Sequence, residues 1–377
     1  MLIKNGLVFR NGSFEKIDIL TDTERITGFL PCETVTVYEG DVVDAQGCYV
    51  IPGLTDVHFH GCMGYDFCAG TEEALDKIAA YEYSQGVTTI CPATMSLPES
   101  KLSHILKKAR EWKEKGDGRS GYAELVGIHL EGPFLNPDRC GAQNLRFLEN
   151  PSEEMLKRLQ EDAGGLIRIV TLAPELEGSV KMINELNKEF HFSIGHSLCD
   201  YHKARKAFDA GADHVTHMFN AMPEFAHRAT GIIGAAFDEG KCFVELICDG
   251  IHVDASMVRA AFRLFGDDRV VMISDSMEAA GMPDGIYNLG DQKVFVNEKM
   301  AKMENGTIAG STYTLYDCLK SAVNMGIPLS SAVKAATINP CRSIGIDNDY
   351  GEIEIGKKAD FLLLSKDNLE IRKVICL

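Results

Sequence analysis

The sequence has no apolar stretch of about 18 residues, the length a membrane-spanning helix requires. Its start, Met1-Leu2-Ile3-Lys4-Asn5-Gly6, carries no apolar signal core. None of its 12 cysteines stands in a C-x-x-C pair, which removes the common thiol-based metal and redox motifs. Cations are in deficit: 38 Lys and Arg face 55 Asp and Glu, for a formal charge of −17. So acidic a chain repels nucleic acid and anionic membranes as general partners, and any anionic ligand needs a local basic pocket. Internal repeats and low-complexity tracts are also missing. These absences together point to a cytoplasmic protein whose cysteines are reduced thiols, mostly small buried hydrophobes.

What is present suits a large core. The 377 residues are 45% hydrophobic and 25% charged, enough for a barrel of about 250 residues with additions. Short strands are expected at residues 2–3, 7–9, 17–20, 26–29, 34–38 and 42–44, with Asn11-Gly12 a strong hairpin signal. The end of the chain has the same character at 351–356, 359–364 and 370–374. The two ends are therefore expected to meet in one small β-sandwich, built from residues 1–50 and 346–377.

Between them, over 51–345, apolar strands alternate with helical stretches, the signature of βα units around a parallel sheet. Eight strands are expected, at 53–60, 87–93, 124–131, 166–173, 191–196, 214–219, 242–248 and 270–275. Helices are expected at 71–85, 98–115, 152–161, 178–188, 200–210, 254–265, 315–325 and 330–336. Eight such units predict a (β/α)₈ TIM-like barrel. Residues 276–312 read as one long irregular stretch after strand eight, the kind of loop that serves as a lid.

The chemistry of such barrels sits at the C-terminal ends of the strands. Strand three is the clearest: Leu125-Val126-Gly127-Ile128-His129-Leu130-Glu131 ends in one acid, and Gly132-Pro133 stops it. The other ends offer His58 and His60, His196, His217, Asp249 with His252, and Asp275. In His58-Phe59-His60 the period of two turns both imidazoles inward. A lone histidine at a strand end is more often structural than a ligand. Glu131, His196, His217, His58 and His60 on one rim form instead a nitrogen and oxygen set for a divalent metal, zinc, iron, cobalt or manganese. Asp275 beside them suits a general base rather than a helix cap. His129 faces inward two residues before Glu131 and reads as support for the ligands. His104, His191, His202 and His214 read as structural.

The runs Asp56-Val57-His58-Phe59-His60-Gly61, His129-Leu130-Glu131-Gly132-Pro133, Gly195-His196-Ser197, His217-Met218-Phe219-Asn220-Ala221-Met222-Pro223, Asp249-Gly250-Ile251-His252 and Asp275 resemble the N-acetylglucosamine-6-phosphate deacetylase family of the amidohydrolase superfamily. The likeness covers essentially the whole chain, and the Leu-Glu-Gly-Pro and Phe-Asn-Ala-Met-Pro runs are its most specific part. It implies a divalent metal held by Glu131, His196 and His217, with Asp275 as acid and base. His58 and His60 make a second ion possible, bridged by Glu131. It implies sugar or phosphate contacts from Asn220, Ala221, Arg228 and His252, and further sugar contacts from Ala142, Gln143, Ile308, Ala309 and Gly310. Some relatives carry histidine where this chain has Gln143, so the residue that polarises the acetyl carbonyl is expected to differ here. The resemblance further implies a homodimer in which Arg228 reaches a neighbour's site, and a phosphorylated amino sugar as substrate.

Three competing readings are open to weighing. Amidohydrolases of the dihydroorotase type need a lysine at the end of strand four, and Thr171-Leu172-Ala173-Pro174-Glu175 has none. An N-acetylgalactosamine-6-phosphate deacetylase differs by the orientation of one hydroxyl, which the sequence does not encode legibly. A non-catalytic scaffold on the same barrel would have shed part of the ligand set, and this chain retains it.

Overall fold

The computed structural model describes residues 1–32, 34, 38–116 and 120–377. Its centre is a ring of eight parallel strands. Strands one and two are Leu54–Asp56 and Val87–Ile90, and strand three runs in two pieces, Glu124–Leu125 and Ile128–Glu131. Strands four to eight are Ile167–Leu172, His191–Ile194, His214–Val215, Phe243–Ile247 and Val270–Ile273. Each pairs in parallel with its sequence neighbour. The break in strand three is bridged where the His129 N–H donates to the Pro92 carbonyl at 2.9 Å. The ring closes where Asp275 N–H donates to His58 O at 3.0 Å and His60 N–H to Ser276 O at 2.7 Å. The expected barrel is therefore the fold, with its strands buried on both faces as parallel strands must be.

One helix follows each strand: Glu72–Ser84, Glu99–Lys115, Glu153–Asp162, Ser179–Leu186, Tyr201–Asp209, Gly231–Glu239, Ala255–Phe265 and Leu315–Asn324. Local chemistry starts many of them. The side chains of Thr71, Ser152, Asp200 and Asp254 each accept a backbone N–H of the first turn, worth about 1 kcal/mol apiece. Leu329–Ala336 and Ile338–Ser343 complete the outer layer. The helix Gly231–Glu239 escapes a periodicity reading because Gly231-Ile232-Ile233-Gly234-Ala235-Ala236 is buried throughout and shows no polar face.

The chain ends do meet. One sheet carries Leu2–Lys4, Asp18–Thr21, Ile26–Leu30 and Val42–Asp44; the other joins Leu7–Arg10, Ser13–Lys16 and Cys48–Pro52 to Phe361–Ser365 and Ile371–Ile375. Leu362 pairs with Ile51 and Leu363 with Val50, so the last strands are stitched to the strand that leads into the barrel. Ile3, Val8, Ile19, Val50, Phe361 and Leu363 fill the space between the sheets. The Asn11-Gly12 hairpin forms, both residues with positive φ as a two-residue turn requires. The strand expected at 34–38 falls largely outside the described residues. The stretch 351–356 is irregular rather than extended: Gly351 and Gly356 both have positive φ and bend the chain.

Residues 276–312 are less irregular than their composition implies. They contain an antiparallel meander, Gly285–Leu289, Gln292–Asn297 and Met300–Met303. Glu298 and Lys299 turn the second hairpin at positive φ, a conformation uncommon outside Gly, Asn and Asp and therefore hard to read from sequence. This meander stands on the C-terminal rim, where Leu289 reaches the cleft.

Candidate metal centre and active-site cleft

The rim of the barrel brings one carboxylate and four imidazoles together. Glu131 Oε1 lies 3.1 Å from His196 Nε2, 3.2 Å from His217 Nε2 and 3.4 Å from His58 Nε2. Its Oε2 lies 3.4 Å from His60 Nε2. Donors held about 2.0–2.2 Å from a tetrahedral ion stand roughly 3.3–3.6 Å from one another. The observed spacings are close to that range, and two ion-sized groups result: Glu131 with His196 and His217, and Glu131 with His58 and His60. His58 Nε2 is buried and has no hydrogen-bond partner. An orphaned buried nitrogen is costly, and an ion at this point would satisfy it. The residues present therefore fit a divalent metal.

Asp275 completes the rim, its Oδ1 at 3.4 Å from His60 Nε2 and 3.8 Å from His58 Nε2. Burial alone would raise its pKa, yet the His60 contact and the nearby His58 and His217 hold it down at about 2. Burial likewise opposes ionisation of Glu131, and His58, His196 and His217 overcome it, keeping it well below the usual range. Two ionised acids thus draw positive charge into one buried spot. His196, His217 and Asp275 all have positive φ, at 47°, 26° and 48°. Backbone held in that region costs of order 1–3 kcal/mol per residue and collects at functional sites.

Neighbouring groups fix the ligands. His196 Nδ1 is 2.9 Å from the Arg139 carbonyl. Glu175, at the end of strand four, accepts from Ser197 Oγ and from the Leu198 N–H, both at 2.6 Å, and so braces the loop after His196. His129 is not among the donors: its Nε2 lies 2.7 Å from Thr171 Oγ1 and its Nδ1 3.1 Å from Val57 O. Burial and the adjacent His58 push its pKa down to about 3, so it is a neutral member of the barrel's interior network. His214 and His191 both bond Asp213 at the other end of strands five and six, in a structural role.

The cleft over this centre has a volume of about 360 Å³, within the range of small-molecule sites. Ala142, Gln143, Asn220, Ala221 and His252 line it, as do Ile308 and Gly310. Ala309 does not: it is fully buried, while its neighbours Ile308 and Gly310 face the cleft. Gln143 is engaged at both ends of its amide, Nε2 donating to Glu131 Oε2 at 2.7 Å and Oε1 accepting from Ser96 N–H at 2.6 Å. It therefore braces Glu131 from the wall of the cleft. His252 is paired to Asp249 Oδ2 at 2.7 Å; burial would lower its pKa, but this contact raises it and so favours the imidazolium form. Arg228 lies on an exposed turn between Ala226 and Ala229 and does not line this chain's own cleft.

Two features of the site escape a reading confined to strand ends. Arg139, in the loop after strand three, lines the cleft. Glu245 sits in the middle of strand seven, fully buried, 2.8 Å from His58 Nδ1. Its signal is present in the sequence, since an acid inside the apolar run Phe243-Val244-Glu245-Leu246-Ile247 must find a partner.

A buried set of imidazoles and one shared carboxylate on the C-terminal rim of an eight-stranded barrel defines a metal-dependent hydrolase of the amidohydrolase type. The amidohydrolase family model matches residues 49–377, and the chain belongs to that family. It is 35% identical over 377 residues to the N-acetylglucosamine-6-phosphate deacetylase of Bacillus subtilis (strain 168), covering 100% of this chain and 92% of that protein. It is also 32% identical over 326 residues to the N-acetylgalactosamine-6-phosphate deacetylase of Escherichia coli O157:H7, covering 86% and 85%. Among solved structures, a mutant N-acetyl-D-glucosamine-6-phosphate deacetylase from Mycobacterium smegmatis, in complex with N-acetyl-D-glucosamine-6-phosphate, superimposes with a TM-score of 0.92. That pair shares 30% identity and covers 100% of this chain and 97% of the other.

Proposed function

We propose that this chain hydrolyses N-acetylglucosamine 6-phosphate to glucosamine 6-phosphate and acetate. The observation that carries the reading is Glu131, shared between two imidazole pairs with Asp275 on the same rim. Glu131, His196 and His217 would hold a divalent ion, with room for a second at His58 and His60, and such an ion would supply Lewis-acid polarisation and a more acidic water. Asp275 takes a proton from the attacking water as oxygen adds to the acetyl carbonyl. It returns that proton to the nitrogen as the C–N bond breaks, so the amine leaves neutral and acetic acid is released, ionising to acetate as its proton passes to solvent or the amine. Asn220, Ala221 and His252 line the cleft, where they can hold the sugar and its phosphate. Gln143 contributes by keeping Glu131 in place. Residues 51–345 carry this chemistry, and the β-sandwich of 1–50 and 346–377 ties the chain ends beneath it.

The exposure of Arg228 supports a homodimer in which each copy lends this guanidinium to its neighbour's phosphate site. Two-pronged donation to phosphate is what a planar guanidinium does well. No described helix is long and apolar enough to cross a membrane, and most of the cysteines are buried; both favour the cytoplasmic reading. A second substrate, the galacto epimer, is favoured by the relative from Escherichia coli. Acetate release from the two 6-phosphorylated amino sugars, with metal content measured on the same sample, decides between them. Release from neither, by a metal-loaded protein, overturns the deacetylase reading.

A further inference from the structure

Glu245 is fully buried in the middle of strand seven, below the rim that carries the metal-binding side chains. One of its oxygens, Oε2, does two things. It lies 2.8 Å from His58 Nδ1, and it accepts the backbone N–H of His217 at 3.2 Å. The other, Oε1, is 3.9 Å from His129 Nδ1 and has no hydrogen-bond partner. The three groups His58, His129 and Glu245 could be taken for another ion site. The spacing argues otherwise: 2.8 Å is a hydrogen-bond length, whereas donors around a shared ion stand roughly 3.3–3.6 Å apart. A proton, not an ion, lies between His58 and Glu245.

An ionised carboxylate can only accept, so His58 Nδ1 carries the hydrogen. The lone pair of His58 is then fixed on Nε2, the atom that faces Glu131 and Asp275 and has no hydrogen-bond partner. His58 belongs to one ion-sized group and His217 to the other. The single Oε2 atom therefore sets the tautomer of a donor in one group and anchors the backbone of a donor in the other. We propose that Glu245 is the positioning residue of the centre: it locks His58 for ligation through Nε2 and couples the His58/His60 position to the Glu131/His196/His217 position. It touches neither substrate nor ion. The inference rests on the proposal that this centre holds a divalent metal.

Groups behind metal-bound histidines typically change metal affinity by 10–100-fold. The test is a competitive-chelator titration with zinc on the full chain, with stoichiometry from elemental analysis and fold from circular dichroism. Glu245→Ala should keep one tight ion and weaken the second by 10–100-fold. Glu245→Gln can still accept from His58 Nδ1–H, so it should recover at least tenfold of that loss. Glu245→Asp withdraws the carboxylate by one methylene and should weaken the second ion even though the charge is kept; it stands in if the alanine variant does not fold. Unchanged affinities in Glu245→Ala or Glu245→Asp overturn the proposal. A glutamine variant as poor as alanine overturns the hydrogen-bond account as well. Wild-type protein that takes up no zinc would instead overturn the metal reading on which the inference rests.

Discussion

Replacing Asp275 by Asn tests the reaction most directly. The side chain is nearly buried, and its Oδ1 lies 3.4 Å from His60 Nε2 and 3.8 Å from His58 Nε2. Asparagine has the same shape and still offers an oxygen to this position, but it cannot take up a proton. Glu131 and the four histidines are untouched, so metal content should hold. Sugar and phosphate contacts lie elsewhere in the cleft, so KM should move little. A positioned general base contributes about 10²–10⁴-fold, equivalent to roughly 2.7–5.5 kcal/mol of barrier. The expected result is a kcat lower by two to four orders of magnitude, measured as acetate release at saturating substrate from protein whose metal content is determined in parallel. A variant that retains its metal and turns over within tenfold of wild type removes Asp275 from the mechanism. Loss of metal together with turnover would make Asp275 a ligand instead.

Three other perturbations separate the parts of the site and the fold. Replacing both His58 and His60 by Ala should lower metal stoichiometry while Glu131, His196 and His217 still hold one ion; wild type and double variant saturating alike at one ion would refute the two-ion reading. Arg228→Ala should cost roughly 1.5–3 kcal/mol in kcat/KM, the scale of a charged hydrogen bond, for the phosphorylated substrate and nothing for unphosphorylated N-acetylglucosamine; equal losses on both would assign Arg228 to the fold or the dimer. Glu82, on the helix Glu72–Ser84, is buried with neither oxygen hydrogen-bonded, and burial, with Asp56 and Asp317 nearby, raises its pKa well above the usual range. The unfolded chain then releases this proton at lower pH than the folded one, so the contribution of Glu82 to stability falls as pH rises above about 4.3, the ordinary glutamate value. Glu82→Leu should remove that fall and add about 1–3 kcal/mol near neutral pH, read from denaturant melts across pH; a less stable variant at pH 7 would show that Glu82 has a partner.

The strand ends were legible because two simple rules coincide there. Alternation turns His58 and His60 to the same side, and a strand that ends in a lone acid before Gly132-Pro133 has few structural uses for it. The meander within 276–312 was not legible, because its second turn puts Glu298 and Lys299 at positive φ, where their side chains give no hint of a turn. Helix Gly231–Glu239 was hidden by the unbroken burial of residues 231–236. The role of Gln143 depends on which atoms its amide meets, Glu131 and Ser96, and no sequence pattern encodes that pairing. Glu245 was legible in principle. An acid within a strand that is buried on both faces carries more information than one at its end, because solvation cannot excuse it.

The cation deficit of the whole chain acquires a local meaning from this geometry. A formal charge of −17 favours capture of a divalent cation and opposes capture of a sugar phosphate, yet the proposed reaction needs both in one cleft. The buried acids resolve the first half: Glu131, Asp275 and Glu245 concentrate negative charge at the depth of the imidazoles, where screening by salt is weakest. The second half falls to cations nearer the mouth. The pairing with Asp249 favours the charged form of His252, and Asp249 also accepts the Ile251 and His252 backbone N–H groups and so shapes the loop that presents it. Arg139 lines the cleft from the loop after strand three. On the proposed function, charge would be layered along the cleft, negative at the imidazoles for the ion and positive nearer the mouth for the phosphate. A substrate that spans both layers is oriented with its acetamide at the bottom. That orientation would place the scissile bond beside Asp275 without any residue having to recognise the acetyl group itself.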